Sequence, residues 1–226
     1  MRTFLQLCND VERESGTVGT GAGLIDVSDP PTPRQRKIVE WTANAWVMIQ
    51  QARPDWSFLR SDFETLIVQG VDRYDPVEDL DIERFGAWLD VNHGGLTIYS
   101  AAAGGKAQES ELCKIRFPQW RDSYDRGQPV ASRPVVYAIS PQQHICFGNT
   151  PDATYYVRGQ YRMAPQQLVD SADLVEIPSG FESIIVWKAV LLLAQHDEGP
   201  VQVATSRSNY ADMFASLVRA HTGVWS

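Results

Sequence analysis

The sequence predicts an α+β protein in which helices at both ends enclose a central run of strands. Three observations lead there. Near the N-terminus, apolar residues recur at 3–4 spacing behind helix-capping signals. Through the middle, the apolar pattern changes to period two and is broken by turn-rich joints. From Ser179 onward helical spacing returns. We therefore expect a single domain over residues 1–226. Its helical part, 1–60 and 179–226, is expected to form a helical bundle, and its β-rich insertion, 61–178, to contain an antiparallel β-meander.

The first helix is short. Thr3 and Gln6 have the spacing of a capping box, and Phe4, Leu7, Cys8 and Val11 share one face. The stretch "GTVGTGAG" (16–23) follows. A second helix is announced by Thr32 as N-cap, Pro33 at the first helical position and Gln35 at the capping-box spacing. Ile38, Trp41, Thr42, Ala45, Ile49 and Ala52 then line one face, and Pro54 ends it.

Strands are expected at "FETLIVQ", "GLTIYS" and "ELCKIRF", with the acidic link "DRYDPVEDLDIE" and the loose "AAAGGKAQES" between them. "PQWRDSYDRG" reads as one or two helical turns stopped by Gly127. "PVVYAIS", "HICFG" and "TYYVRGQYRM", joined by "PQQ" and "NTPDA", form the expected meander. In its last strand Tyr155, Val157, Gly159, Tyr161 and Met163 share one face and Arg158 and Arg162 the other. Ser179 caps a helix from about Gly180 to His196, and "GP" at 199–200 breaks it. A last helix turns Ala204, Tyr210, Ala211, Phe214, Leu217 and Val218 inward. The two together make a hairpin expected to pack on the Trp-bearing second helix.

Composition narrows the function. With 226 residues, 43% of them hydrophobic and 21% charged, the chain is long enough to bury a sizeable core. Its longest apolar run, 184–194, contains Lys188 and is too short to cross a membrane, so no membrane association is expected. The N-terminus places acids close behind its apolar residues and does not read as a signal peptide, so synthesis in the cytoplasm is expected. The net charge is −8, and Asp55 to Asn92 holds ten acids against three bases. Such a balance argues against general nucleic-acid binding, which needs clustered Lys and Arg. Three cysteines, Cys8, Cys113 and Cys146, give no CxxC pair and read as small buried hydrophobes.

The candidate chemical motifs do not hold. "GTVGTGAG" has neither dinucleotide nor P-loop spacing, is preceded by a helix and is followed by two prolines, so it reads as a connector or subunit-contacting arm. Asp79, Asp81 and Glu83 match positions one, three and five of a calcium loop, but Arg84 replaces its glycine and Asp90 its glutamate. The acidic patch of Asp72, Asp75, Glu78, Asp79, Asp81 and Glu83 thus reads as a solvated surface. His93, His144, His196 and His221 are scattered, and no nucleophile elbow occurs. We expect no enzyme activity, no cofactor and no metal. Of the seven tryptophans, Trp41, Trp46, Trp56 and Trp187 fit helical core stripes. Trp225 sits one residue from the end, beyond a helix-ending glycine, where an aromatic serves best as a docking anchor.

In order and approximate spacing, "TFLQLCNDVERESG", "KIVEWTANAWVMIQQARPDWSFLRSDFE", "FPQWRDSY", "SRPVVYAIS", "NTPDATYYVRGQY" and "IPSGFESIIVWKAV" resemble the head-to-tail adaptor (connector) proteins of tailed bacteriophages. The resemblance covers most of the chain and rests on the ordered set, no piece being a catalytic signature. The acidic run and "AAAGGKAQ" make the middle longer than the resemblance leads one to expect.

The resemblance implies a virion structural protein of the neck, between the capsid portal and the tail. It implies a homo-oligomeric ring of about a dozen copies below the portal protein, closed by heterologous contacts. The ring would extend the channel through which double-stranded DNA is ejected, without sequence-specific binding, and would dock the next tail, nozzle or neck protein. Val224 and Trp225 would then grip the portal, and the acidic patch would line the channel or the outer surface. Two other readings stay open: a different neck or tail-completion ring protein, and a small intracellular enzyme whose residues converge only in three dimensions.

Overall fold

The computed structural model describes residues 1–16, 23–89, 95–100, 102, 104–126, 130–196 and 203–221. It is α+β, as expected. The chain divides into two compact units, Met1–Leu59 with Pro165–Ser226, and Arg60–Ala164.

The first unit is helical. Helix α1, Phe4–Glu14, has the full capping box: Thr3 accepts from the Gln6 N–H, and the Gln6 side chain accepts from the Thr3 N–H. The next free N–H groups of its first turn, those of Phe4 and Leu5, donate to the carbonyls of Asp173 and Ser171. Helix α2, Pro33–Gln51, starts at Thr32 and Pro33 as its caps require. Its buried face is Ile38, Thr42, Ala45, Trp46, Ile49 and Gln50. Trp46 is buried as expected, whereas Trp41, also expected in the core stripe, is half-buried, and Ala52 is the exposed C-cap.

Helix α4, Ser183–His196, begins later than its sequence signals suggest. Gly180 has a left-handed φ of +93°, and its N–H donates to the Glu182 carboxylate at 2.8 Å, so the chain turns there before it can coil. Helix α5, Val203–His221, buries Ser206 and Leu217 and packs Tyr210, Met213, Phe214 and Val218 against the core. Ala204 and Ala211, expected inside, are exposed. Helix α4 packs on α1, α2 and α5.

Residues 165–178, read in the sequence with the strands, belong to the helical core, where Leu168, Val175 and Ile177 are buried. Gln166 ties this loop to α2. Its backbone N–H donates to Gln50 Oε1 at 2.8 Å, and Gln50 Nε2 donates to the Gln166 carbonyl at 3.1 Å. Trp46 Nε1 donates to Gln166 Oε1 at 2.9 Å.

The second unit is built on two sheets. One has the order β1-β9-β4-β5, from Arg60–Ile67, Tyr155–Met163, Thr97–Ser100 and Ser110–Glu111, with β3 (Phe85–Trp88) also on β9. The other runs β2-β8-β7-β6, from Arg73–Tyr74, Ile145–Gly148, Val136–Ile139 and Cys113–Lys114. The three-strand meander does not form. β7 and β8 make a hairpin, but β9 crosses to the other sheet and pairs with β1 from Arg60↔Arg162 to Ile67↔Tyr155.

The joint before β9 is already engaged, which explains the crossing. Thr150 exchanges backbone hydrogen bonds with Val130 and Ser132, and the Pro151 carbonyl accepts from the Gly70 N–H. Two strands, β2 and β3, flank the acidic run that the sequence reads as a link.

One core holds both sheets together: Ile67, Ile98, Tyr155 and Val157 from the first meet Tyr74, Tyr137, Ile145 and Phe147 from the second. Gly159 lies where β9 passes closely by Leu96 and Phe63: a Cβ there would press on Leu96 Cδ2 and stand 3.0 Å from Phe63 Cε1, so both side chains would have to give way. The far face of β7 and β8 is covered by α3, Phe117–Trp120, continued by a wider turn to Asp125. Trp120 packs on Ala138 and Cys146, and its Nε1 donates to the Phe147 carbonyl at 2.9 Å.

Replacing Gln50, only 2% exposed, by Ala leaves the Gln166 N–H without its acceptor. The expected loss is about 1–3 kcal/mol of unfolding free energy, read from denaturant curves followed by tryptophan fluorescence.

Candidate functional site

The acidic run between β2 and β3 is a built turn. Asp75 Oδ1 accepts from the N–H groups of Val77 at 2.8 Å and Glu78 at 2.9 Å. Asp79 Oδ2 accepts from the Asp75 N–H at 2.7 Å. The N–H groups of Asp79 and Leu80 donate back to the Asp75 carbonyl, and that of Ile82 to Pro76. Leu80 and Ile82 are buried and anchor the turn in the core. Asp81, between them, is held outward with a left-handed φ of +55°.

Of the acidic patch, Asp72 and Asp75 are half-buried while Glu78, Asp79, Asp81 and Glu83 are exposed. The Glu78 and Val77 N–H groups hold the Asp75 carboxyl below the usual carboxylate range, and His144, with Nε2 at 3.2 Å, adds to this. The patch is therefore a rigid frame presenting four exposed acids, more than the solvated surface read from the sequence.

A second polar cluster lies on the outer face of the five-stranded sheet. Register aligns Glu64, Arg158 and Thr97 across β1, β9 and β4. Arg158 Nε is 3.0 Å from Glu64 Oε2 and its Nη1 3.2 Å from Glu109 Oε2. Lys106 Nζ reaches Glu64 Oε2 at 2.9 Å, and the Tyr99 hydroxyl donates to Glu64 Oε1 at 2.8 Å. Hydrogen bonds from Lys106 and Tyr99 hold Glu64 below the usual carboxylate range. Burial, then the bond to Glu64, pushes the Tyr99 phenol up to about 12.

Beside this row is a groove of about 340 Å³ lined by Asp62, Phe63, Thr97, Glu109, Arg158 and Gln160. Its carboxylates are already engaged: Gln160 Nε2 donates to Asp62 at 2.8 Å, and Glu109 is held by Arg158 and Thr97. This chemistry cross-links a sheet surface. Arg133 does the same at the rim, donating to the carbonyls of Ile98 and Gln108 and to Ser110 Oγ. Sequence reasoning missed Arg133, whose partners are 23 to 35 residues away and leave no local signal.

The third place of interest is the end of α5. The His221 ring lies edge-on to Phe58 and Phe181, with centroids 6.4 and 5.6 Å away, and Trp56 packs edge-to-face on Phe214. Val224 and Trp225, three and four residues further on, lie outside the described residues, as do 17–22 of the glycine stretch and His93. Among the described residues no group of three or more His, Cys, Asp and Glu side chains is placed to hold a metal, and no helix is long and apolar enough to cross a membrane. Cys8 and Cys146 are buried, which pushes their thiols up to about 12 and about 11. Cys113, also expected inside, is exposed because β6 ends the sheet.

Asp75→Ala is expected to lose about 1 kcal/mol at pH 7, the cost of a lost capping-type bond. The native carboxyl is depressed below its unfolded value near pH 4, so this contribution is complete above that value and fades as pH falls through the folded one. Wild-type and variant unfolding curves should therefore converge in acid.

One comparison with known proteins is positive. The family model described as SU10 adaptor protein matches residues 2–225, which span both compact units. No curated protein matches the chain.

Proposed function

We propose, from the premise that the chain belongs to the SU10 adaptor protein family, that this bacteriophage structural protein works as the head-to-tail adaptor of the virion neck. The observation that carries the reading is the match over nearly the whole chain, helices and strands alike. In this reading about twelve copies close into a ring below the portal by repeating one heterologous contact. The ring extends the DNA channel and offers its far side to the next tail component.

Three observations support the reading. The aromatic seat of Phe58, Phe181 and His221 gives the last residues a firm point of departure, so that Val224 and Trp225 act as the portal grip. A chain of net charge −8 lets duplex DNA slide, because a lumen rich in Lys and Arg would hold phosphates and oppose ejection. A structural role also agrees with a groove whose carboxylates are tied up in ion pairs and amide hydrogen bonds.

Mass photometry of the protein, alone and mixed with the portal ring of the same phage, tests this. The expected result is a species of portal plus about twelve copies. Deleting Gly223–Ser226, beyond the last described residue of α5, should abolish the gain while leaving the helical signal of the free protein unchanged. A full-length protein that ignores the portal at every salt concentration overturns the adaptor reading.

A further inference from the structure

Helices α1 and α4 begin, and α5 ends, at one end of the helical unit. The Met1 ammonium lies 3.7 Å from Glu182 Oε1, just before α4, and the neighbouring Phe181 ring lies 5.6 Å from that of His221. The loop 169–174 closes the same end, where the Phe4 N–H donates to the Asp173 carbonyl and Thr3 bridges to Leu174. Residues 25–27 join it: Ser171 Oγ donates to Asp26 Oδ1 at 2.8 Å and accepts from the Val27 N–H at 3.0 Å.

Three apolar side chains stand in solvent around this loop. Ile25 is 81% exposed, Val169 68% and Leu174 49%. The turn that presents them is built, because Asp173 Oδ2 accepts from the N–H groups of Val169 at 2.7 Å and Asp170 at 2.9 Å. The rim is acidic. Asp26, Asp170 and Asp173 have no ion-pair partner among the described residues. Arg2, close by in the chain, is turned to Asp10 at 2.6 Å. Arg34, Arg36 and Lys37 belong toward the other end of α1, where Gln35 Nε2 meets Glu12 at 3.0 Å.

We propose that this patch is a second portal contact, seated against a portal surface that presents apolar side chains among lysines and arginines. The inference rests on the reading that Trp225 grips the portal, and it extends that grip to a surface. Trp225 follows His221 by four residues, a reach of at most about 14 Å of extended chain. Whatever Trp225 holds is therefore kept within that distance of the α5 end, on the side of the unit that carries Ile25, Val169 and Leu174. A few tail residues bury too little area for a stable contact, and an apolar centre with a charged rim supplies the rest. Its acids select a basic partner and repel the same patch on a second copy.

The test uses the full-length protein and the portal ring of the same phage. Ile25→Asp/Val169→Asp should weaken portal binding at least about tenfold while leaving the helical signal of the free protein unchanged. Asp170→Lys, whose carboxylate makes no bond among the described residues, should slow association several-fold at low salt only. Protection gives a further readout. In Cys113→Ser/Val169→Cys, a maleimide should label the free protein and spare the portal complex, the buried Cys8 and Cys146 staying unlabelled.

Wild-type binding run in parallel separates the two failures. If the unmodified protein ignores the portal, the adaptor reading fails and takes this contact with it. If it binds, but the double aspartate variant binds as tightly and the cysteine at 169 stays open to maleimide in the complex, the patch alone is overturned. Protection that appears in oligomers formed without portal would assign the patch to a second copy, and that too overturns it.

Discussion

The helical unit depends on one buried polar knot. Gln166, arriving after the whole of Arg60–Ala164, exchanges two backbone-to-amide hydrogen bonds with Gln50 and takes a third from Trp46. Apolar packing alone would hold α2 and α4 together without fixing where the returning chain lies, because dispersion and burial are not directional. The knot specifies that position. From it follow the seating of Leu168, Val175 and Ile177 and the carbonyls of Ser171 and Asp173 that cap α1. A chain interrupted for so long closes its core by a few directional bonds at the point of return.

In the strand-rich unit β9 has the comparable role. It is the longest strand and the one to which β1, β3 and β4 all pair. Its two faces differ: Tyr155 and Val157 enter the core, while Arg158 joins Glu64 and Glu109 outside. Such exposed ion pairs add little stability. Their service is to hold register, since a one-residue slip would turn the arginine inward and the valine outward. The same economy applies to the acidic turn, where Leu80 and Ile82 pin the backbone, Asp75 and Asp79 accept its N–H groups, and Glu78, Asp81 and Glu83 stay exposed.

Local features were legible in the sequence and long-range ones were not. The caps of α1 and α2 were readable because capping bonds span three residues. The change from period 3.6 to period two marked the strands, and with them the α+β class. The alternation Leu80, Asp81, Ile82, Glu83 also has period two, but read as a charge run it hid a turn with two buried anchors. The failed meander shows a deeper limit. Nothing between "HICFG" and "TYYVRGQYRM" discloses that Thr150 and Pro151 are bonded to Val130, Ser132 and Gly70. Trp46 and Trp41 sit five residues apart on one helix, and the partners that bury Trp46, Phe58 in the core and Gln166 on its Nε1, lie 12 and 120 residues away in the chain.

The pairing of Arg60 with Arg162 has an evolutionary consequence. The strand that enters the insertion and the strand that leaves it are hydrogen-bonded neighbours at their base, so Arg60 and Arg162 lie about 5 Å apart. Closing so narrow a gap takes only a short tight link, whatever the length of chain beyond it. The insertion can therefore lengthen, shrink or be exchanged between lineages without disturbing the helices that carry it.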